Sequence, residues 1–189
     1  MSPSGAPGSH DYRTVSSREI FDGRIVRLRI DTLTMPDGGT ADREICGHDD
    51  AVAVVAVDSE NQIVLVRQYR HAVGERLWEL PAGLCDIDGE PPLETGRREL
   101  LEETGLEATD WRDVVEIVPS PGFSTERVRI YLATGLREVG RPEATHEEAD
   151  MEIVRIPFDE AVDAVLDGRI VNGIAVSGIL AARALLARD

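Results

Sequence analysis

The chain has 189 residues, 42% hydrophobic and 30% charged, enough for one domain with a sizeable core and a small appended element. A formal net charge of -16 with no basic run makes most of the surface repel nucleic acid, which excludes a duplex or a long RNA as a favoured partner. No stretch is apolar and long enough for a membrane-spanning helix, and Cys46 and Cys85 match no zinc or redox spacing, which fits a reduced, cytoplasmic protein.

Residues 1–17 are rich in Ser, Gly and Pro, lack a signal-peptide core and are expected to form a disordered leader. An amino-terminal β region is expected over 18–50. Within it, residues 24–35 alternate Ile25, Arg27 and Arg29 with Val26, Leu28 and Ile30. They then meet Pro36-Asp37-Gly38-Gly39 and continue into residues 40–46, the pattern of a hairpin. The main domain is expected over 51–189. Residues 51–58 are nearly continuous Ala and Val, the signature of a buried central strand. After a turn at Asp58 to Asn61, residues 62–69 predict a second strand paired beside the first. Further strands fit residues 114–120, 126–134 and 151–156, and helices fit 158–168 and 173–188. This order predicts the α/β class, as an α/β/α sandwich with a mixed sheet.

Residues 83–106, GLCDIDGEPPLETGRRELLEETGL, carry the most chemistry. Pro91 and Pro92 suit a helix start and Gly105 its stop. Leu93, Gly96 and Leu100 form the stripe that such a helix would bury. Glu99, Glu102 and Glu103 stand at i, i+3 and i+4, so their carboxylates share one flank. Like charges that close are best tolerated around a cation, and oxygen-only ligands suit Mg²⁺ or Mn²⁺ rather than zinc. The alternative is a solvated acidic face. Arg98 has Glu94 four residues before it and Glu102 four after, and can hold a carboxylate in place.

The same stretch resembles the Nudix box, Gly-x5-Glu-x7-Arg-Glu-U-x-Glu-Glu-x-Gly-U, where U is aliphatic. Every fixed position from Glu90 to Leu106 is met; Gly83, however, precedes Glu90 by six residues rather than five. The extra residue is expected to alter the loop path and leave the helix chemistry intact. Residues 64–84, and Pro121 in Ser120-Pro121-Gly122, are similar to the ADP-ribose pyrophosphatase branch of that family, although a Pro-Gly turn needs no ligand to explain it. The resemblance runs over roughly residues 20–185.

It implies a Nudix-type α/β/α sandwich and a metal held by Glu99, Glu102, Glu103 and the backbone carbonyl of Ala82. Glu79 would bind a water on the metal or a substrate hydroxyl. On the polar loop 140–152 the resemblance places a general base, assigned to Glu148 with Glu147 as the alternative; His146 is a lesser candidate. Arg67 and Arg70 are candidates for the diphosphate, since guanidinium pairs bidentately with phosphate oxygens. A structural pair of Arg70 with Glu79 is the competing reading. Arg43 is a weaker candidate, acting in trans if the homodimer common in the family forms. Adenine needs a flat partner, from Phe21 or from Phe123 beside Gly122; Trp78 reads as core or interface packing. The expected activity is Mg²⁺- or Mn²⁺-dependent hydrolysis of ADP-ribose to AMP and ribose 5-phosphate. Hydrolysis of another nucleoside diphosphate sugar and non-catalytic sensing of ADP-ribose are the alternatives.

Overall fold

The computed structural model describes residues 12–142 and 150–188. They fall into two units, one of residues up to His48 with Ser120–Glu126, the other of Asp49–Pro119 with the residues from Arg127 onward.

The first unit is an antiparallel meander of β1 (Arg13–Asp22), β2 (Val26–Thr34) and β3 (Thr40–His48). The hairpin expected from the alternation is β2–β3. Its turn closes through the Met35 amide on the Gly39 carbonyl (2.8 Å) and needs a left-handed residue, which Gly38 supplies at φ 84°. Two expectations about this region need correction. Residues 13–17 are strand, not leader. Their exposed side chains, polar but for Val15, hide the pairing, which uses backbone groups and is reinforced by the Ser17 hydroxyl on Asp31 (2.6 Å). The unit also ends at His48 rather than 50 and takes in Ser120–Glu126, where the Cys46 amide donates to the Phe123 carbonyl (2.7 Å) and the Thr125 amide to the Cys46 carbonyl (3.0 Å). Residues 1–11 of the expected leader lie outside the described residues.

The second unit is built around β4 (Ala51–Ala56), buried along its whole length. It lies between β7 (Ala82–Leu84), antiparallel, and β9 (Val128–Glu138), parallel; β8 (Leu106–Ile117) completes a mixed four-stranded sheet. Successive β4 side chains face opposite sides. Val52 and Val54 meet Gly96 of α1 (Pro92–Thr104), while Val55, with Ile130 and Leu80, meets Gly178 of α3 (Gly173–Leu186). In this way one strand seats a helix on each face, the sandwich that the order of elements predicts.

The strand over 62–69 is present as β5 (Gln62–Arg70), but it does not pair beside β4. After one bridge, Val57 to Ile63, it joins a second sheet between β10 (Glu152–Pro157) and β6 (Glu75–Glu79). Both edges of β4 are already taken, by β7 and β9. An apolar run reports burial, not the identity of its neighbours. The carboxyl-terminal helices are α2 (Phe158–Leu166), stopping two residues short of the predicted end, and α3, capped by Asn172 on the Ile174 and Ala175 amides (3.0 and 2.9 Å).

At Gly178 an added Cβ would stand 2.6 Å from Leu80 Cδ1 and 3.3 Å from both Ile130 and Val55. Gly178→Val is therefore expected to lower stability by about 1–3 kcal/mol through overpacking, despite its better helix propensity. Equilibrium urea unfolding reads this as a lower midpoint; an unchanged midpoint would refute the packing.

Candidate active site

Helix α1 begins after Pro91, with Pro92 at its first position, and ends at Gly105, left-handed at φ 71°. The absence of a side chain at Gly96 lets it lie close on β4. Thr95, Glu99 and Glu103, four residues apart, form one stripe along it. Glu103 is buried (6% exposed), and its Oε2 accepts the Ala82 amide at 3.0 Å. The Glu99 carboxyl lies against Gly83 of β7, so closely that a Cβ there would be 2.0 Å from Glu99 Cδ. A side chain at position 83 would have to push this carboxyl aside.

Arg98 ties the acidic edge together. Its Nη1 donates to Glu99 (2.6 Å) and Glu102 (3.3 Å), Nη2 and Nε to Glu90 (3.2 and 3.4 Å), and Asp86 stands 3.8 Å from Nη2. The expected Glu94 partner goes instead to Arg97 (3.0 Å), one turn position closer.

Burial pushes the Glu103 carboxyl up to about 8; Glu99 and Glu79 add to the shift, and the Ala82 amide and Arg70 oppose it. Burial also raises Glu99, with Arg98 pulling it back and Glu102 and Asp86 adding to the rise. Hydrogen bonds from Arg98 and Thr95 hold Glu90 below the usual carboxylate range. Among the described residues no three His, Cys, Asp or Glu side chains already converge as a metal cage. Arg98 occupies the Glu99 and Glu102 oxygens that such a cage would use. The donor set nevertheless fits a hard divalent cation: oxygen atoms only, with two adjacent half-buried or buried carboxylates that resist ionising without a positive partner.

Arg70 reaches Glu79, almost wholly buried, through Nε and Nη2 at 2.8 and 2.6 Å, the pairing weighed against diphosphate binding. The structure does not bring Arg67 to the same place. The regular β5–β6 register puts Arg67 and Arg70 on opposite sheet faces; Arg67 lies over the Trp78 ring (5.3 Å) and 3.7 Å from Glu152. Trp78 packs at the core margin, as expected. Phe21, Arg43, Pro121, Gly122 and Phe123 all belong to the first unit. There Phe21 and Phe123 are exposed, and Arg43 donates to the Asp42 carbonyl at 2.8 Å. Glu147, Glu148 and His146 lie outside the described residues. Sequence reasoning passed over Thr95 and Asp86. The i, i+4 spacing to Glu99 was the available signal for Thr95; nothing local marks Asp86.

A carboxyl raised from 4.5 to about 8 takes up a proton on folding. Its stabilising contribution is complete below about 4.5 and is lost as pH rises through 8. The metal-free protein should accordingly lose thermal stability between about pH 5 and about 8, and Glu103→Gln should flatten that slope. Mn²⁺ should raise the melting temperature most at the alkaline end. Thermal unfolding with and without Mn²⁺ checks this; equal slopes for the two proteins would contradict it.

Residues 47–173 match the NUDIX domain family, and residues 12–45 match the nucleoside diphosphate sugar hydrolase N-terminal domain. An ADP-ribose pyrophosphatase of Mycobacterium tuberculosis is 55% identical over 176 residues, covering 93% of this chain and 85% of the relative. A methanol dehydrogenase activator of Bacillus methanolicus is 36% identical, covering 89% of this chain and 91% of the relative. The crystal structure of an ADP compounds hydrolase aligns with a TM-score of 0.82 over 96% of this chain and 97% of its own, and at 20% identity it shows the shared fold. Box, sandwich and matched span agree: the chain belongs to the Nudix domain family.

Proposed function

We propose that the protein hydrolyses the pyrophosphate bond of ADP-ribose, giving AMP and ribose 5-phosphate, with Mg²⁺ or Mn²⁺ as cofactor. The observation that carries this is the complete glutamate set of the box on α1, in a chain 55% identical to an ADP-ribose pyrophosphatase. Glu99, Glu102 and Glu103, with the Ala82 carbonyl, would hold the cation. A divalent ion so held supplies Lewis acidity towards phosphoryl oxygens and water.

The chain's own residues account for the rest. Glu148, or Glu147, takes the proton of the attacking water as general base. Arg98 orients Glu99 and Glu102. Arg70, steadied by Glu79, offers positive charge to the diphosphate. Arg67, directed towards Trp78 and Glu152, is the weaker of the two arginine assignments. Phe21 or Phe123 stacks on adenine, and Pro121 and Gly122 shape the turn beside Phe123. Arg43 assists from the partner protomer of a homodimer. The setting is cytoplasmic, in keeping with two free cysteines and no helix among the described residues long and apolar enough to cross a membrane.

A second reading has specific support: the match of residues 12–45 to the nucleoside diphosphate sugar hydrolase N-terminal domain favours a related nucleotide sugar as substrate. Hydrolysis of ADP-ribose, ADP-glucose, GDP-mannose and NADH, each with Mg²⁺ or Mn²⁺ and products resolved by chromatography, separates the readings. ADP-ribose is expected to be preferred, with AMP and ribose 5-phosphate released. A folded Glu103→Gln variant is expected to lose about a hundredfold or more in kcat. Preference for another compound overturns the substrate assignment. Near-normal turnover by Glu103→Gln overturns the metal-site assignment, and binding of ADP-ribose without turnover establishes a sensor.

A further inference from the structure

Thr95 is fully buried (0% exposed) in the middle of α1, four residues before Glu99. A buried hydroxyl costs stability unless it is hydrogen-bonded. Threonine inside a helix commonly turns its hydroxyl back to the carbonyl four residues earlier. Here the hydroxyl leaves the helix and donates to Glu90 Oε2 at 2.8 Å. Glu90 in turn receives Arg98 through both of its oxygens, Nε on Oε1 at 3.4 Å and Nη2 on Oε2 at 3.2 Å. The far nitrogen of the same guanidinium, Nη1, meets Glu99 and Glu102.

We infer that Thr95 is a positioning residue: through Glu90 and Arg98 its hydroxyl sets where the Glu99 and Glu102 carboxylates stand for the divalent cation. The inference rests on the metal-site reading above. The Thr95 hydroxyl donates to Glu90 and not to Glu99 or Glu102, so its effect on them passes through the guanidinium. With the Glu90 carboxylate fixed from behind by a buried donor, the Arg98 guanidinium has an anchor away from Glu99 and Glu102. It can then yield Glu99 and Glu102 to a cation while keeping its place. Without the hydroxyl, Glu90 loses its hydrogen bond from the helix interior, and Arg98 is free to swing with it.

The test is Mn²⁺ affinity of the full chain, by isothermal titration and by the electron paramagnetic resonance signal of free Mn²⁺, for Thr95→Val and Thr95→Ser. Valine keeps the branched shape and removes the hydroxyl; serine keeps the hydroxyl and removes the methyl. Partners outside the ligand shell are typically worth 10–100-fold in metal affinity, so Thr95→Val is expected to weaken Mn²⁺ binding by about tenfold. Thr95→Ser is expected to stay within about twofold of the unsubstituted protein. At saturating Mn²⁺ the valine variant should show a lowered kcat with little change in KM. Thr95→Ala, a good helix former, replaces valine in the comparison if the valine variant does not fold. Unchanged Mn²⁺ affinity on loss of the hydroxyl overturns the inference, and so does an equal loss in the serine variant, which would mean packing alone. Failure of the unsubstituted protein to bind Mn²⁺ overturns the metal-site reading and this inference with it. A substrate other than ADP-ribose leaves the Mn²⁺ comparison standing.

Discussion

The Arg98 guanidinium bridges carboxylates that would otherwise repel one another along the edge of α1. Two like charges about 4 Å apart near a protein surface oppose each other by roughly 4 kcal/mol, so an acidic cluster in a chain of net charge -16 needs a cation among its members. Arg98 supplies it to Glu90, Glu99 and Glu102 at once. Glu103 lies beyond its reach, and burial answers the problem there by favouring the protonated carboxyl. A metal ion would do for Glu103 and Glu99 what Arg98 does for the outer carboxylates. The site is thus poised between an internal cation and an external one.

The scaffold serves that arrangement. Gly96 lets α1 approach β4, Gly83 admits the Glu99 carboxyl against β7, and the Ala82 amide fixes one Glu103 oxygen. Each contact removes freedom from a carboxylate before any ligand arrives, which is how a binding group gains precision without a larger site. On the neighbouring sheet, buried Glu79 does the same for Arg70, leaving a half-exposed guanidinium on a rigid support.

Helix α1 was legible from sequence because its cues are local: prolines at the start, glycine at the end, glutamates at helical spacing. The buried strand β4 and the hairpin β2–β3 were legible for the same reason. Pairing was not. Whether β5 lies beside β4 or between β10 and β6 depends on residues some ninety positions away, and alternation carries no record of that. The start of strand β1 was missed because its side chains are exposed throughout and mostly polar, and β6 and β7 because they are short. Within the site, residue types at Glu99, Glu102, Glu103 and Arg98 could be named, and the Arg98–Glu102 pair with them, but not the pairing of Arg98 with Glu90 and Glu99. Glu94 and Glu90 are both within reach of Arg98 in sequence terms, and rotamer and loop path choose Glu90. The facing of Arg67 away from Arg70 follows from strand alternation alone and was available in advance. The role of Thr95 was not, because it depends on where the loop after β7 brings Glu90.

The most direct test of the central claim is a crystal structure with Mn²⁺ bound, the ion located by its anomalous scattering. The account predicts a peak between Glu99 and Glu103 beside the Ala82 carbonyl, with Arg98 still on Glu90. A peak elsewhere, or Glu99 and Glu102 still paired with Arg98 at saturating Mn²⁺, would contradict it.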